Sequence, residues 1–333
     1  MKESAAVRRA FKWEMNVKTF ALSLAALLAS TAAGAAQAAS IGLSTNYSVE
    51  YVVGNSTREA GAIAYNWDTN TLMVGGDENN WNEYDLMGVR TQRVLNNGFK
   101  DPEGVTYLGN GQFAVAQERT GQIFQMSEVS QGTTYRYYTG SNDSPYLFVP
   151  DASDSSFGME GVTYDRTNGD FYVIKEDNPQ GIWRVSNGDF ATGTSTNALL
   201  FDIEASLGLA TISDISVLSN TDAFIGEGFS DNLLILSAVS EMLLEVTKAG
   251  EIVSQFDLHG IGVEKIEGVT LDNAGNIYLV GEEMLGGGSG LIKLQRNAIA
   301  AAVPEPATWA MMLGGLGLVG GAMRRRKVSV AFA

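Results

Sequence analysis

Between Tyr47 and Leu294 the chain is written in short apolar runs separated by turns rich in Asn, Asp and Gly. One run has a fixed spelling. Glu-Gly-Val-Thr-Tyr occupies Glu103–Tyr107 and returns unchanged at Glu160–Tyr164, and Glu267–Leu271 differs from it only in the last residue. Degenerate copies read Gly61-Ala-Ile-Ala-Tyr65 and Asp214-Ile-Ser-Val-Leu218. Each full copy is followed by a Gly-bearing turn and a second run: Gln112–Ala116, Asp170–Ile174 and Asn276–Val280. Asn and Gly tolerate the positive φ of tight hairpins, and the second runs are rich in β-branched and aromatic residues. Each unit therefore reads as strand, turn, strand. A third strand is expected at Gln122–Met126, Gly181–Val185 and Leu291–Leu294.

The copies begin 42, 57, 54 and 53 residues apart. A period near 50 with three or four strands per unit describes a β-propeller blade. The expected fold class is all-β, a β-propeller of five blades, with six as the alternative if one is hidden in the irregular stretch 187–260. Tyr47–Val53 is expected to complete the last blade and close the ring, which removes sheet edges. The fourth unit is the least regular and reads as Asp214–Val217, Ala223–Gly226, Asn232–Leu236, Met242–Val246 and Ile252–Phe256. Thr133–Tyr138, with three tyrosines, reads as an outer blade strand, an exposed binding loop being the alternative.

The two ends read as addresses. Lys18 precedes the apolar run Phe20–Leu28, and Ala36-Gln37-Ala38 fits a small-x-small cleavage site, so residues 1–38 are expected to be a signal peptide, with Met15 a second possible start. The propeller is expected over 39–296 and an alanine-rich linker over 297–303. In the segment 304–327, Pro304-Glu305-Pro306 precedes the apolar stretch Ala307–Met323, and Arg324, Arg325, Arg326 and Lys327 follow it; 328–333 is a cytoplasmic tail. Seventeen mostly apolar residues just suffice to cross a bilayer, and the basic cluster stays inside.

The formal net charge is −16. The signal segment and the tail each carry a surplus of three positive charges, so the domain between them carries −22. Such a domain repels phosphate backbones and anionic surfaces, which argues against nucleic acid as a partner. There are no cysteines, which excludes thiol nucleophiles and Cys-bearing zinc sites and leaves burial to hold the exported fold. The single histidine, His259, lies in an inter-blade loop, and no Gly-x-Ser-x-Gly elbow accompanies it.

Carboxylates remain. The acid opening each regular unit is followed 15 or 16 residues later by a second: Glu103 with Glu118, Glu160 with Glu176, Glu267 with Glu282. In the first unit Asp77 keeps the second position, and Asp214 opens the fourth. A hairpin brings such pairs to the same end of neighbouring strands near the axis. Converging carboxylates raise each other's pKa or recruit a hard cation such as Ca²⁺, which takes six to eight oxygen ligands. The alternative is structural: the glutamates accept amides between blades and hold the ring in register.

The Glu-Gly-Val-Thr-Tyr strand, the acid about 15 positions later and the Gly181–Val185 strand resemble the SdiA-regulated (YjiK-like) β-propeller family over Gly61–Leu294, roughly 70% of the chain. In that family the segment after Leu236 carries an acidic pair, which is Ser237-Ala-Val-Ser240 here. The C-terminal segment resembles the PEP-CTERM sorting signal of Gram-negative bacteria. That resemblance implies an exosortase-type processing enzyme as partner, cleavage near Pro304–Pro306, and residence in the envelope or at the cell surface, held by the membrane until processed. Two functions follow as expectations. One is a non-catalytic binding or adhesion module, tied to exopolysaccharide or a surface protein. The other is a metal-dependent hydrolase of the phytase-like or lactonase-like kind, in which a cation polarises the substrate and a Glu serves as base.

Overall fold

The computed structural model describes residues 38–76, 80–95, 98–99, 102–131, 135–139, 145–149, 158–176, 180–297 and 315–316. Its strands form five blades. β1 (Tyr47–Asn55) belongs to the last of them. The first blade holds β2 (Ala60–Asn66), β3 (Thr71–Gly76), β4 (Trp81–Tyr84) and β5 (Arg90–Leu95). The second holds β6 (Pro102–Gly109), β7 (Gln112–Gln117), β8 (Gln122–Gln131) and β9 (Tyr135–Thr139), with β10 (Tyr146–Phe148) added along β8. The third holds β11 (Met159–Asp165), β12 (Asp170–Lys175), β13 (Gly181–Asp189) and β14 (Thr194–Asp202). The fourth holds β15 (Asp214–Val217), β16 (Leu233–Ser237), β17 (Met242–Val246) and β18 (Ile252–Asp257). The fifth holds β19 (Val263–Leu271), β20 (Ile277–Met284), β21 (Ser289–Arg296) and, outermost, β1. The innermost strands β2, β6, β11, β15 and β19 touch in a closed ring.

Five hydrophobic clusters hold the ring, one at each seam. Leu236 and Leu243 meet Val269 and Leu279 between the fourth and fifth blades. Met73 and Trp81 meet Val105 and Phe113 between the first and second. Tyr172 and Ile174 meet Ile215 and Ile235, Ala116 and Ile123 meet Val162 and Val173, and Ile63 and Val74 meet Tyr278 and Val280. A strand packed on both faces reads as an unbroken apolar run rather than an alternating one. That is why β16, Leu-Leu-Ile-Leu-Ser, is buried throughout.

β1 pairs antiparallel with β21 from Tyr47–Arg296 to Asn55–Ser289 and closes the last blade. The segment before it is anchored on the neighbouring blade by Glu245. This fully buried carboxylate accepts the Ile41 amide at 3.1 Å, Asn232 Nδ2 at 2.8 Å, Ser254 Oγ at 2.6 Å and the Ser40 hydroxyl. Two departures from the sequence reading stand out. Tyr135–Thr139 is an outer strand, as expected, but β5 and β9, the outer strands of the first two blades, pair in parallel and fuse those blades into one sheet. Ala223–Gly226 is a turn within the long β15–β16 connection, not a strand; Phe224 is fully buried and anchors that connection in the fourth–fifth seam.

Candidate functional site

The repeated motif works as a unit, residue by residue. Its first position is a β-bulge. Pro102 pairs with Gln117 and Gly104 with Ala116, leaving Glu103 as the extra residue. Glu160 is extra in β11, Glu267 in β19 and Gly61 in β2. A bulged residue leaves the ladder and its side chain is re-aimed; here the three glutamates are brought to the axial cavity.

The second position is a close approach. A Cβ on Gly104 would stand 2.8 Å from Val162 N and 2.9 Å from Gly161 Cα, and one on Gly268 would stand 2.6 Å from Gly61 O. The third position, Val105, Val162 or Val269, is buried in a seam. The fourth stitches blades. Thr106 Oγ1 accepts the Tyr164 amide at 3.1 Å, Thr163 Oγ1 the Val217 amide at 3.2 Å, and Thr270 Oγ1 the Tyr65 amide at 3.1 Å.

The bulge end of the axis opens on a cavity of about 280 Å³. Glu103, Glu160 and Glu267 line it from the inner strands, and Glu118, Glu176 and Glu282 from the ends of the second strands or just beyond them. Six of the residues picked out by spacing thus line one cavity. Gly61, the one bulge without an acid, leaves room for its neighbours: a Cβ there would lie 3.4 Å from Glu267 Oε2 and 3.7 Å from Glu103 Oε2.

Asp214 stands apart. The pairing of β15 with β16 is shifted by one from the sequence alignment: Asp214 faces Leu236 as Gly161 faces Ile174, so it occupies the glycine position. It is buried in the inter-blade seam, its Oδ2 accepting the Val269 amide at 2.7 Å. Burial holds its carboxyl well above the usual range. Gly161 is the space it needs, since a Cβ there would sit 2.5 Å from Asp214 Oδ1. Ser213 takes the bulge-acid position and Ala238 the second-acid position, so the fourth blade gives the cavity a wall without carboxylates. Asp77, Ala36, Pro304, Glu305, Pro306, Arg324, Arg325 and Arg326 lie outside the described residues, and Ala38 is exposed at their edge.

Sequence spacing missed Glu59, which lines the cavity two residues before the Gly61 bulge at a φ of 49°. It also missed Lys265, whose Nζ lies 2.8 Å from Glu282 Oε2 and 2.9 Å from Glu283 Oε1. Neither belongs to the motif; position next to a bulge was the available signal. Arg119 also lines the cavity, its Nε 3.0 Å from Glu118 Oε2, whereas Lys175 is buried and does not line it. His259 is exposed and bonds Asp257 through Nδ1 at 2.7 Å, away from the cavity wall.

Seven glutamates against one lining arginine leave the cavity strongly negative. Glu160 registers this. Burial first, then the carboxylates of Glu103, Glu176, Glu118 and Glu267, push its carboxyl up to about 10. Among the described residues no group of three or more His, Asp or Glu side chains is close-set enough to hold a bare metal ion. The far end of the axis is bridged instead. The Arg166 guanidinium lies 5.0 Å from the Trp67 ring centre and 2.6 Å from Asp222 Oδ1, and Trp67 packs edge-on against Tyr107 at 4.5 Å.

With this geometry in hand, comparison with known proteins gives two matches by family. The SdiA-regulated family matches residues 41–285, and the PEP-CTERM protein-sorting motif matches 302–327. That motif indicates export and sorting to the bacterial envelope or surface, with processing by an exosortase-type system. Among solved structures, a luciferin-regenerating enzyme is similar at 10% identity with a TM-score of 0.46, covering 75% of this chain and 96% of its own. The β-propeller domain of Cps50 (Swd1) from Myceliophteria thermophila is similar at 9% identity with a TM-score of 0.38, covering 70% of this chain and 66% of its own.

Proposed function

The chain belongs to the SdiA-regulated family and carries a PEP-CTERM sorting motif, and from that premise we propose that it is an exported, non-catalytic binding module whose axial cavity takes a cation. One observation supports the reading above the rest: carboxyl groups from three blades, together with Glu59, line one cavity, and burial together with their repulsion pushes the Glu160 carboxyl up to about 10. A bound cation relieves that repulsion. The donor set is all oxygen, which suits a hard ion such as Ca²⁺. Among the described residues no three carboxylates form a direct ligand set, so the proposed ion would keep part of its water shell and be held through it. Glu103, Glu160 and Glu267 are the residues proposed to face it, with Glu118, Glu176 and Glu282 behind them; Asp214 has no part in this. Signal-peptide cleavage after Ala38, processing near Pro304–Pro306 and a partner in exopolysaccharide or at the cell surface complete the proposal.

The test is thermal unfolding of the purified full chain in detergent, with EDTA and with millimolar Ca²⁺. The expected result is a rise in Tm of several degrees with Ca²⁺, lost in Glu103→Gln and Glu267→Gln. An unchanged Tm across the calcium series sinks the cation reading. Calcium-dependent cleavage of esters or lactones, abolished by Glu160→Gln, would replace the binding module with a hydrolase.

A further inference from the structure

Both ends of the propeller emerge on the side opposite the acidic cavity. β20 runs from the Asp272–Asn276 turn to Glu282 at the cavity, and β21 returns from there, with Gly290 opposite Gly281 and Leu294 opposite Ile277. Its last residue is fixed at the far end: Arg296 N donates to Asn276 Oδ1 at 3.0 Å, and its guanidinium lies 4.7 Å from the Phe224 ring centre. Asn297 N donates to Asn46 O at 2.7 Å, and Tyr47 Oη to Gly275 O at 2.9 Å. The end of the propeller at Asn297 is therefore tied to the non-acidic end.

From Asn297 to Pro304 the chain takes seven steps, which at full extension reach roughly 25 Å. The inner strands carry the domain through about the same height, since β6 has eight residues at roughly 3.3 Å each. If the acidic mouth faced the membrane, Asn297 would stand a full domain height above it. The linker would have to be stretched to its limit, while the ionised glutamates of the mouth were pressed toward the low-dielectric bilayer. With the Arg166–Trp67 end toward the membrane the linker stays slack and the carboxylates stay in water.

We infer that, while its C-terminal segment anchors the chain, the propeller stands with the Arg166–Trp67 end toward the bilayer and the acidic mouth turned away from it. The mouth is thus presented to cationic solutes and basic segments arriving from the medium, not to lipid. This rests on the C-terminal segment being an anchor and is independent of whether the cavity binds calcium.

The chain has no cysteine, so single introduced cysteines can be labelled uniquely. Val239→Cys places a fluorophore on the lip of the cavity, where Val239 is 67% exposed. Ala249→Cys places one on the exposed β17–β18 turn of the same blade, at the other end. The full chain carrying each is reconstituted in vesicles bearing a headgroup-linked energy-transfer acceptor. Flotation with the vesicles reports the anchor, and transfer reports orientation. The expected result is at least twofold more transfer from position 249 than from 239. Equal transfer, or the reverse order, overturns the orientation; failure to float overturns the anchor and the inference with it.

Discussion

Thr163 Oγ1 accepts the backbone amide of Val217 at 3.2 Å, across the seam between the third and fourth blades. The same bond recurs from Thr106 to Tyr164 and from Thr270 to Tyr65. The threonine of the repeated motif is thus the stitch between blades, while the glutamate three positions before it is turned into the cavity. Thr163 is buried, so Thr163→Val leaves the Val217 amide without a partner. An orphaned buried donor costs about 1–3 kcal/mol. Chemical denaturation should show that loss for Thr163→Val and recover most of it for Thr163→Ser; equal stability of the two would mean that the hydroxyl is not the stitch.

Gly104→Ala tests the close approach. The added methyl meets backbone atoms of Val162 and Gly161 at 2.8 and 2.9 Å, and backbone on the neighbouring inner strand cannot step aside as a flexible side chain does. Expected destabilisation is on the order of 2–3 kcal/mol, as for other overpacked sites. The control is Gly208→Ala, where no atom lies within 4 Å of the new methyl and the only penalty comes from a φ of 64°. A smaller loss at Gly104 than at Gly208 would refute the steric account.

Stability in the absence of divalent cations should fall as pH rises. Glu160 titrates near 10 in the folded chain and near 4.5 as an ordinary carboxyl. Between those values the folded state holds a proton that the unfolded state has lost, so each step up in pH favours unfolding. Below the lower value both states are protonated and the effect vanishes. Glu160→Gln should flatten the decline and raise stability at pH 8 on the order of 1–2 kcal/mol, discounted for water at the mouth of the cavity. Melting curves in EDTA at pH 5.5 and 8.5 decide it; identical slopes for the two proteins would remove Glu160 as the cause.

Glu245 should matter more than its place outside the motif suggests. Replacing it by Ala strands the Ile41 amide and Asn232, both of which it now accepts inside the protein. Loss of such a buried charged acceptor costs about 3 kcal/mol or more. Hydrogen exchange should show faster exchange at Ile41 and along β1 before the rest of the fifth blade. Uniform acceleration across all blades would mean instead that the ring opens as one unit.

The propeller fold, the hairpin turns and the six glutamates that line the cavity were legible in the chain, because a repeat that must pack against copies of itself has to be spelled the same way each time; the strand pairing settled five blades over the six left open by the stretch 187–260. The place of Asp214 was not legible. Its spacing of 54 from Glu160 matches the repeat, yet the strand pairing moves it one residue, from the bulge to the glycine position. A shift of one in a strand sends a side chain to the other side, and only the pairing partner sets it. The parallel bond of β5 to β9 was equally hidden, since neither strand names its neighbour.

The sequence alone determined what repeats: strand, turn, strand, with an acid, a glycine and a threonine at fixed positions, together with the sorting motif at the C-terminal end. The tertiary structure alone decided where those pieces meet. It sets the carboxylates of separate blades around one cavity, raises the Glu160 carboxyl through burial and neighbouring charge, and brings the chain out at the opposite end. Distances between residues more than fifty positions apart depend on how the ring closes, and ring closure is a property of all five seams together.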